Sequence, residues 1–422
     1  MSRDMDPVRP PARLFLDLSR LLYAVYSRTP TGIPRVELAY AEHLISAAQD
    51  RLTFVVLDAI GRLRIVNGRQ ARAFVGEIAD YWRRGVASDR AYARIVLRAQ
   101  YIHAALLFRP GGSLVRSVAG TAGRSIYIIP SHLHLERTQA IERLKAAGDL
   151  KLVYFVHDIL PSLFPEYFPP DAENRNRRRM DTAARLADAI VFNSRATAES
   201  FRKMFGKDRP DTSIVIAPLG VTPAPPPPRV SPATRSVDGP ARPYFVMVGT
   251  IEPRKNHLLL LNLWRRLHAE RGAETPRLIL IGGRGWENEN TIDMLERSPG
   301  LRGFVEERVR VSDEDMSRTL ADARALLMPS FAEGYGLPLA EALALGVPAL
   351  CSDIPVLREV GGAVPEFLDP LDGPGWRSAI CDYATGDSPR RQAQLERLAG
   401  WRATPWESHF RPISDLLKAL DS

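Results

Sequence analysis

Short apolar runs alternate with longer amphipathic stretches along almost all of this 422-residue chain. LFLDLS (14–19), LTFVVLD (52–58), SIYIIP (125–130), KLVYFVHD (151–158), AIVFNS (189–194) and SIVIAP (213–218) read as strands. Between them, residues 35–46, 138–147 and 171–187 carry apolar side chains at helical spacing, and 67–120 reads as mostly helical. The clearest break is VTPAPPPPRVSPATRSVDGPARP, 221–243, whose prolines remove backbone donors and favour an extended linker. A second run follows in YFVMVGT (244–250), RLILIGG (277–283), ARALLMPS (323–330) and VPALCSD (347–353). Strands alternating with helices call for α/β architecture with parallel sheets. The expected organisation is two doubly wound domains, 1–222 and 244–402, joined by a linker over 223–243. A helix over 403–422 is expected to pack back on the first domain. Ligands in such folds bind at the carboxyl ends of strands, so two facing sheet edges would form a cleft.

Two cysteines, Cys351 and Cys381, allow neither a disulfide framework nor a CxxC pair, so a reducing compartment is expected. The basic N-terminus lacks the apolar stretch of a secretory signal, and no apolar run approaches a membrane span. The expectation is a cytoplasmic protein. The formal net charge is +8, and only six of the 57 basic residues are lysine. An arginine excess suits nucleic acid, anionic lipid or phosphorylated ligands. Here it is spread along the chain rather than gathered in one block. Its densest cluster, Arg175 to Arg179 around Asn176, reads as a solvated helix face.

Four segments carry candidate chemistry. In YFVMVGTIEPRKNH an apolar strand ends at Gly249 and a turn presents Arg254 and Lys255. A planar fork beside a point charge suits a diphosphate; the alternative is a solvated turn. In FAEGYGLPLAEAL, Gly334 and Gly336 allow close backbone approach and Pro338 suits the first turn of a helix over 337–345. Such a helix end exposes unpaired N–H groups and favours anions. Glu333 before it and Glu341 inside it would face one ligand at different depths, and sugar hydroxyls could donate to both. His157 and Asp158 end a strand in the first half, Asp158 being alternatively a cap or turn residue. TPTGIPRVE (29–37) brings Gly32, Pro34 and Arg35 between the first strand and its helix, with Arg35 either facing the cleft or on the surface. Asp313-Glu314-Asp315 follows Ser312 and reads as a capped helix start rather than a metal motif. WENEN (286–290) reads as a loop and helix start with Trp286 packing. No His, Cys or carboxylate set has metal spacing, so no metal is expected.

GTIEPRKNH and EGYGLPLAEALALGVPALCSD resemble the two signature segments of glycosyltransferase family 4, with the E-x7-E spacing at Glu333 and Glu341. The resemblance runs through most of 244–372 and more weakly through the N-terminal half. It implies the GT-B architecture of two Rossmann-like domains, and retention of anomeric configuration. It implies that Glu333 contacts the donor sugar, Glu341 holds the ribose, and Arg254 and Lys255 neutralise the diphosphate. Backbone of Gly334, Tyr335, Gly336 and Leu337 would meet phosphates and sugar. The base would lie near Gly282 to Gly285 and the loop 309–312 that contains Val311. His157 would face the sugar and aid the reaction; the departing phosphate oxygen would take the acceptor's proton. Gly32 matches the family's glycine-rich turn, and Pro34 departs from its second small residue. Segments like TGIPRVE and VGTIEPRKNH resemble those of bacterial mannosyl- and rhamnosyltransferases of surface polysaccharide synthesis. The implied donor is a nucleotide diphosphate sugar, GDP-mannose first, and the implied acceptor a glycan or lipid-linked oligosaccharide. No cofactor and no nucleic acid are expected, and Arg175 to Arg179 would aid peripheral contact with an anionic membrane. The rival readings are a disaccharide synthase, a nucleotide-sugar epimerase, or an arginine-rich nucleic-acid-binding protein, the last of which offers no reason for Glu333 and Glu341.

Overall fold

The protein is described from a computed structural model over residues 11–26, 32–48, 50–58, 60–83, 89–108, 112–121, 123–206, 212–222 and 242–422. Nearly all of the linker 223–243, the first ten residues and positions 29–31 lie outside them.

The first sheet contains β1 (Arg13–Asp17), β2 (Leu52–Leu57), β3 (Leu63–Val66), β4 (Ser125–Ile129), β5 (Leu150–Val156), β6 (Ala189–Phe192) and β7 (Ser213–Ile216), in the order β3-β2-β1-β4-β5-β6-β7. Every neighbouring pair is parallel except β2 with β3. The second sheet contains β8 (Tyr244–Val248), β9 (Arg277–Ile281), β10 (Val305–Arg308), β11 (Leu326–Met328), β12 (Ala349–Ser352) and β13 (Glu366–Leu368), in the order β10-β9-β8-β11-β12-β13, all parallel. Central strands read as unbroken apolar runs because both faces are covered. Along β1, Leu14 and Leu16 enter one core layer and Phe15 the other, the strand's period of two. The reading of two α/β domains with parallel sheets holds, and the antiparallel β3 is an addition to it.

Three strands escaped the sequence: LRIV of β3, VEER of β10 and EFL of β13. All three are edge strands. These three cover little core and carry charge, so no apolar run announces them, whereas β7, the remaining edge, keeps the apolar run SIVI.

The helix Trp406–Asp421 belongs spatially to the first sheet. Phe410, Ile413, Leu416 and Leu417 join the core that holds Leu14 and Tyr40. Its end is tied down as Ala12 N donates to Asp421 at 2.6 Å and Arg124 to the Leu420 carbonyl at 2.8 Å. No described helix is long and apolar enough to cross a membrane.

Strand order reverses between β8 and β11 in the second sheet and between β1 and β4 in the first. At such a switch point adjacent strand ends feed loops in opposite directions and leave a crevice. Arg254, Lys255 and Glu333 gather at the β8/β11 crevice.

Candidate active site

At the β8/β11 crevice two loops are zipped together. Phe331 N donates to the Arg254 carbonyl at 2.8 Å, and Asn256 Nδ2 to the Pro329 carbonyl at 3.1 Å. This places Arg254, Lys255 and Glu333 in one cluster. Glu333 Oε1 accepts from Lys255 Nζ at 2.6 Å and from Ser330 Oγ at 2.7 Å. Its Oε2 accepts from Arg254 Nη1 at 2.8 Å. Arg254 Nη2 lies 2.6 Å from Glu252 Oε1. Glu333 and Lys255 are only 6% and 7% exposed, so water screens them little. Burial pushes the Glu333 carboxyl up, but Lys255 and Arg254 outweigh it and hold the group at about 2. Lys255 is lowered because its burial outweighs the opposing pull of Glu333. Glu252 is raised by burial against the pull of Arg254. The result is two cations balanced by two carboxylates, one firmly ionised and one less so. An arriving dianion can take the cations while hydroxyls take Glu333.

Gly249 and Gly282 end β8 and β9 side by side, Gly249 N donating to the Ile281 carbonyl at 2.9 Å. Val311 lies in the loop after β10, half-buried, its side chain packed on the core below the strand ends. It offers a ligand only backbone. Across the crevice, Gly336 caps the helix Leu337–Ala344 at φ 103°, a left-handed conformation that favours glycine. No side chain caps this helix; Pro338 has no N–H and Leu339 N already donates to the Gly336 carbonyl at 3.0 Å, so among its first residues Leu337 offers the amide for a ligand. Tyr335 turns away: its hydroxyl donates to the Leu219 carbonyl at 3.2 Å, and its ring joins the first domain's core.

The second domain meets the first at Gly334. A Cβ there would lie 2.9 Å from Asp158 Cβ and 3.0 Å from the His157 carbonyl oxygen, so only glycine permits this approach. Gly32 faces Leu337 across the same gap, where a Cβ would make an ordinary contact at 3.6 Å. Further bonds hold the two edges together. Glu359 caps the helix Arg195–Phe205, accepting from Arg195 N at 2.8 Å and Ala196 N at 3.2 Å. Trp286 Nε1 donates to the Tyr167 carbonyl at 2.9 Å, and Tyr167 stacks on Phe331 at 5.6 Å.

Glu341 is separated from this cluster and instead meets Arg35, whose Nη1 donates to Oε1 at 3.0 Å. The other Arg35 amine reaches Asp313. Asp313 does open a helix, with Asp315 N donating to the Ser312 side chain at 3.1 Å. It is also an interdomain partner, which its helix-start pattern did not suggest. Its pairing with Arg35 spans 278 positions, and no local signal could have shown it.

His157 is buried at the end of β5. Its Nε2 donates to the Pro130 carbonyl at 2.8 Å, and its backbone N–H donates to His132 Nε2 at 2.8 Å. A carbonyl can only accept, so Nε2 carries the proton and Nδ1 is the free acceptor. Burial, with help from His132, pushes the imidazole down to about 3. It is therefore neutral and held in one tautomer. Asp158 accepts from Leu160 N at 3.1 Å, a turn contact, and faces the field of Arg254.

Sequence reading missed a buried polar set at the β1/β4 crevice. Tyr127 donates to Asp17 at 2.6 Å, and His134 Nε2 lies 2.9 Å from Ser19 Oγ and 3.3 Å from Asp17. Glu37 is fully buried with neither carboxylate oxygen hydrogen-bonded, and burial together with Asp17 pushes it well up. The available signal was an acid inside each of two apolar runs, LFLDLS and RVELAY.

Comparison with known proteins fits this geometry. The profile described as glycosyl transferases group 1 matches residues 236–363, and that of glycosyltransferase family 4 matches 106–225. The chain is 32% identical over 255 residues to O-antigen chain mannosyltransferase B of Escherichia coli, covering 60% of this chain and 66% of that protein. It is 30% identical over 243 residues to the serotype-specific mannosyltransferase WbdA of Escherichia coli, covering 55% of this chain but only 29% of that protein. The crystal structure of HepE from Anabaena in complex with UDP superposes with a TM-score of 0.61 over 97% of this chain and all of that one. At 17% identity this likeness shows the fold alone, which is GT-B. Each half of the chain thus carries a glycosyltransferase match, family 4 over residues 106–225 and glycosyl transferases group 1 over residues 236–363, on the two-sheet fold described above.

Proposed function

We propose that this glycosyltransferase moves a hexose, mannose in the first instance, from a nucleotide diphosphate sugar to a hydroxyl of a glycan or lipid-linked oligosaccharide, retaining configuration. GDP-mannose is the proposed donor. The observation that carries the reading is the Glu333, Arg254 and Lys255 cluster at the β8/β11 crevice, facing His157 across Gly334. Two relatives named as mannosyltransferases favour mannose.

In this reading the donor's bond from the anomeric carbon to phosphate oxygen breaks, and a bond to the acceptor oxygen forms on the same face. The acceptor's proton passes to the departing phosphate oxygen. Arg254, Lys255 and the Leu337 amide after Gly336 stabilise the charge that develops there. Glu333 accepts from sugar hydroxyls and Glu341 from the ribose. His157, neutral and with Nε2 engaged, positions the sugar rather than trading a proton. The close approach at Gly334 excludes water.

The test is product analysis with GDP-mannose, UDP-glucose and dTDP-rhamnose, each with and without a mannose-ended acceptor. Acceptor-dependent release of GDP is expected from GDP-mannose. An epimerised sugar formed without acceptor would overturn the reading.

A further inference from the structure

The first domain contains a cavity of about 410 Å³ that the transfer reaction as described leaves unused. It opens where the β2–β3 turn meets the loop after β4 and the helices Leu114–Ala119 and Thr138–Ala146. Its size is that of a small-ligand pocket. Its lining is unusual: Arg62, Arg64, Arg116, Arg137 and Arg143 supply five of the thirteen lining residues. That is roughly three times the arginine share of a chain with 57 basic residues, six of them lysine. Arginine-rich composition alone does not produce this concentration.

Four of these five charges, Arg62, Arg116, Arg137 and Arg143, have no carboxylate against them among the described residues. The acid nearest the turn, Asp58, is buried and already accepts from the amides of Ile60 and Arg62 at 3.1 and 2.8 Å, with Arg64 at 4.0 Å. Arg137 is fixed in place, donating from Nη1 to the Gly61 carbonyl at 2.8 Å. Gly61 is at φ 81°, a left-handed conformation that favours glycine and lets its carbonyl meet the Arg137 guanidinium.

The cavity is connected to the active site. Its wall includes His134, in the loop that continues from β4. Within that loop Pro130 accepts from the His157 ring and His132 accepts from the His157 backbone. Leu57, at the carboxyl end of β2, lines the cavity, and His157 follows β5 on the same sheet edge. Three strand spacings, about 14 Å, separate them. A group in the cavity would therefore lie about 14 Å from His157, a span that one acceptor molecule can bridge.

We propose that this cavity binds the phosphate or diphosphate group of the acceptor, holding it by arginine forks while a hydroxyl further along the acceptor reaches His157 and the donor. The proposal rests on the transfer reading for its catalytic consequence and on the cavity alone for anion binding. Guanidinium forks match phosphate oxygens bidentately, and a diphosphate can engage several at once. The donor's own diphosphate is held on the other domain, at Arg254 and Lys255, so the two anion sites are separate.

The test uses Arg116→Ala with Arg143→Ala, two exposed positions whose replacement leaves the core intact. Isothermal titration with inorganic pyrophosphate should find two sites in the native protein and one in the double variant. An unchanged site count overturns the proposal, even if no transfer is ever detected. In transfer assays, a diphosphate-linked mannose-ended acceptor should show KM raised about tenfold or more in the double variant. The same glycan without phosphate should show unchanged KM, as should the donor. Equal effects on both acceptors, or on neither, would refute an acceptor-phosphate role. Loss of the pyrophosphate site with no kinetic difference between acceptors would assign the cavity to free phosphate and likewise overturn it. A failure of all transfer in the native protein would count against the transferase reading and leave the titration to decide the cavity.

Discussion

Arg35 and Glu341 stand 306 positions apart, in different domains, and are hydrogen-bonded at 3.0 Å. Burial pushes the Glu341 carboxyl up; Arg35 opposes the rise and Asp313 adds to it. In its proposed role Glu341 needs its charge to accept strongly from ribose hydroxyls. A raised carboxyl loses that charge as pH falls through its folded value. Arg35→Met removes the opposing charge, so the loss begins at higher pH. Titration calorimetry with GDP between pH 8 and 5 should show affinity falling earlier in Arg35→Met than in the native protein. Superimposable curves would remove Arg35 from this role. Glu341→Ala should weaken GDP about tenfold or more, the worth of one hydrogen bond to a charged group.

Glu333 has two functions that mutation will confound. It is the proposed sugar contact, and it neutralises buried Lys255 and Arg254. Glu333→Gln should lower kcat about 100-fold or more through lost positioning. It should also destabilise the fold by about 3 kcal/mol, because the cations remain. Adding Lys255→Met should restore part of that stability in urea unfolding but none of the turnover. If Glu333→Gln folds as well as the native chain, the charge accounting is wrong.

The same group predicts an acid signature. Glu333 is held at about 2, below its ordinary value of 4.5. A depressed carboxyl contributes stability that is fully present above about pH 4.5 and is lost as pH falls toward 2. The stability difference between native protein and Glu333→Gln should therefore narrow through that window. A constant gap between pH 5 and 2.5 would contradict the assignment.

His157 sits at about 3 because it is buried, so it is uncharged throughout the working pH range. His157→Ala should lower turnover about tenfold to 100-fold by releasing the sugar and the loop after β4. The pH profile of kcat/KM between 5.5 and 8 should keep its shape. A limb near pH 6.5 that disappears in the variant would make His157 an acid or base instead.

Gly334→Ala tests the contact between domains. The new methyl would press on Asp158 and the His157 carbonyl, and neither is a flexible side-chain end. The crevices should be forced apart, raising donor KM and lowering kcat together while the unfolding midpoint changes little. Normal kinetics would mean that the closure seen here is not the reacting arrangement.

Local pattern already contained the scaffold. Alternating apolar and amphipathic segments are enough to specify two parallel α/β layers, since a strand covered on both faces must be apolar throughout. The helix start at Gly336 and Pro338 and the strand end before Arg254 were legible for the same reason: each depends on a few neighbouring residues. So were Glu333 and Glu341 as candidates, through acids out of place in apolar surroundings. Edge strands β3, β10 and β13 were not, because they bury too little to leave a pattern.

What tertiary structure decided is which of these groups meet. Glu333 joins Arg254 and Lys255 only because strand order reverses between β8 and β11. Tyr335 sits in the same motif yet turns to Leu219 in the other domain. Asp313, a helix start by every local sign, is claimed by Arg35. The arginines from three separate segments line one cavity, although nothing near any of them in the chain marks it. Hydrogen bonding and burial at the first few residues of a helix or strand are short-range and can be read in order along the chain. Charge pairing across a cleft depends on distances set by the packing of two whole domains, and those distances exist only once the chain has folded.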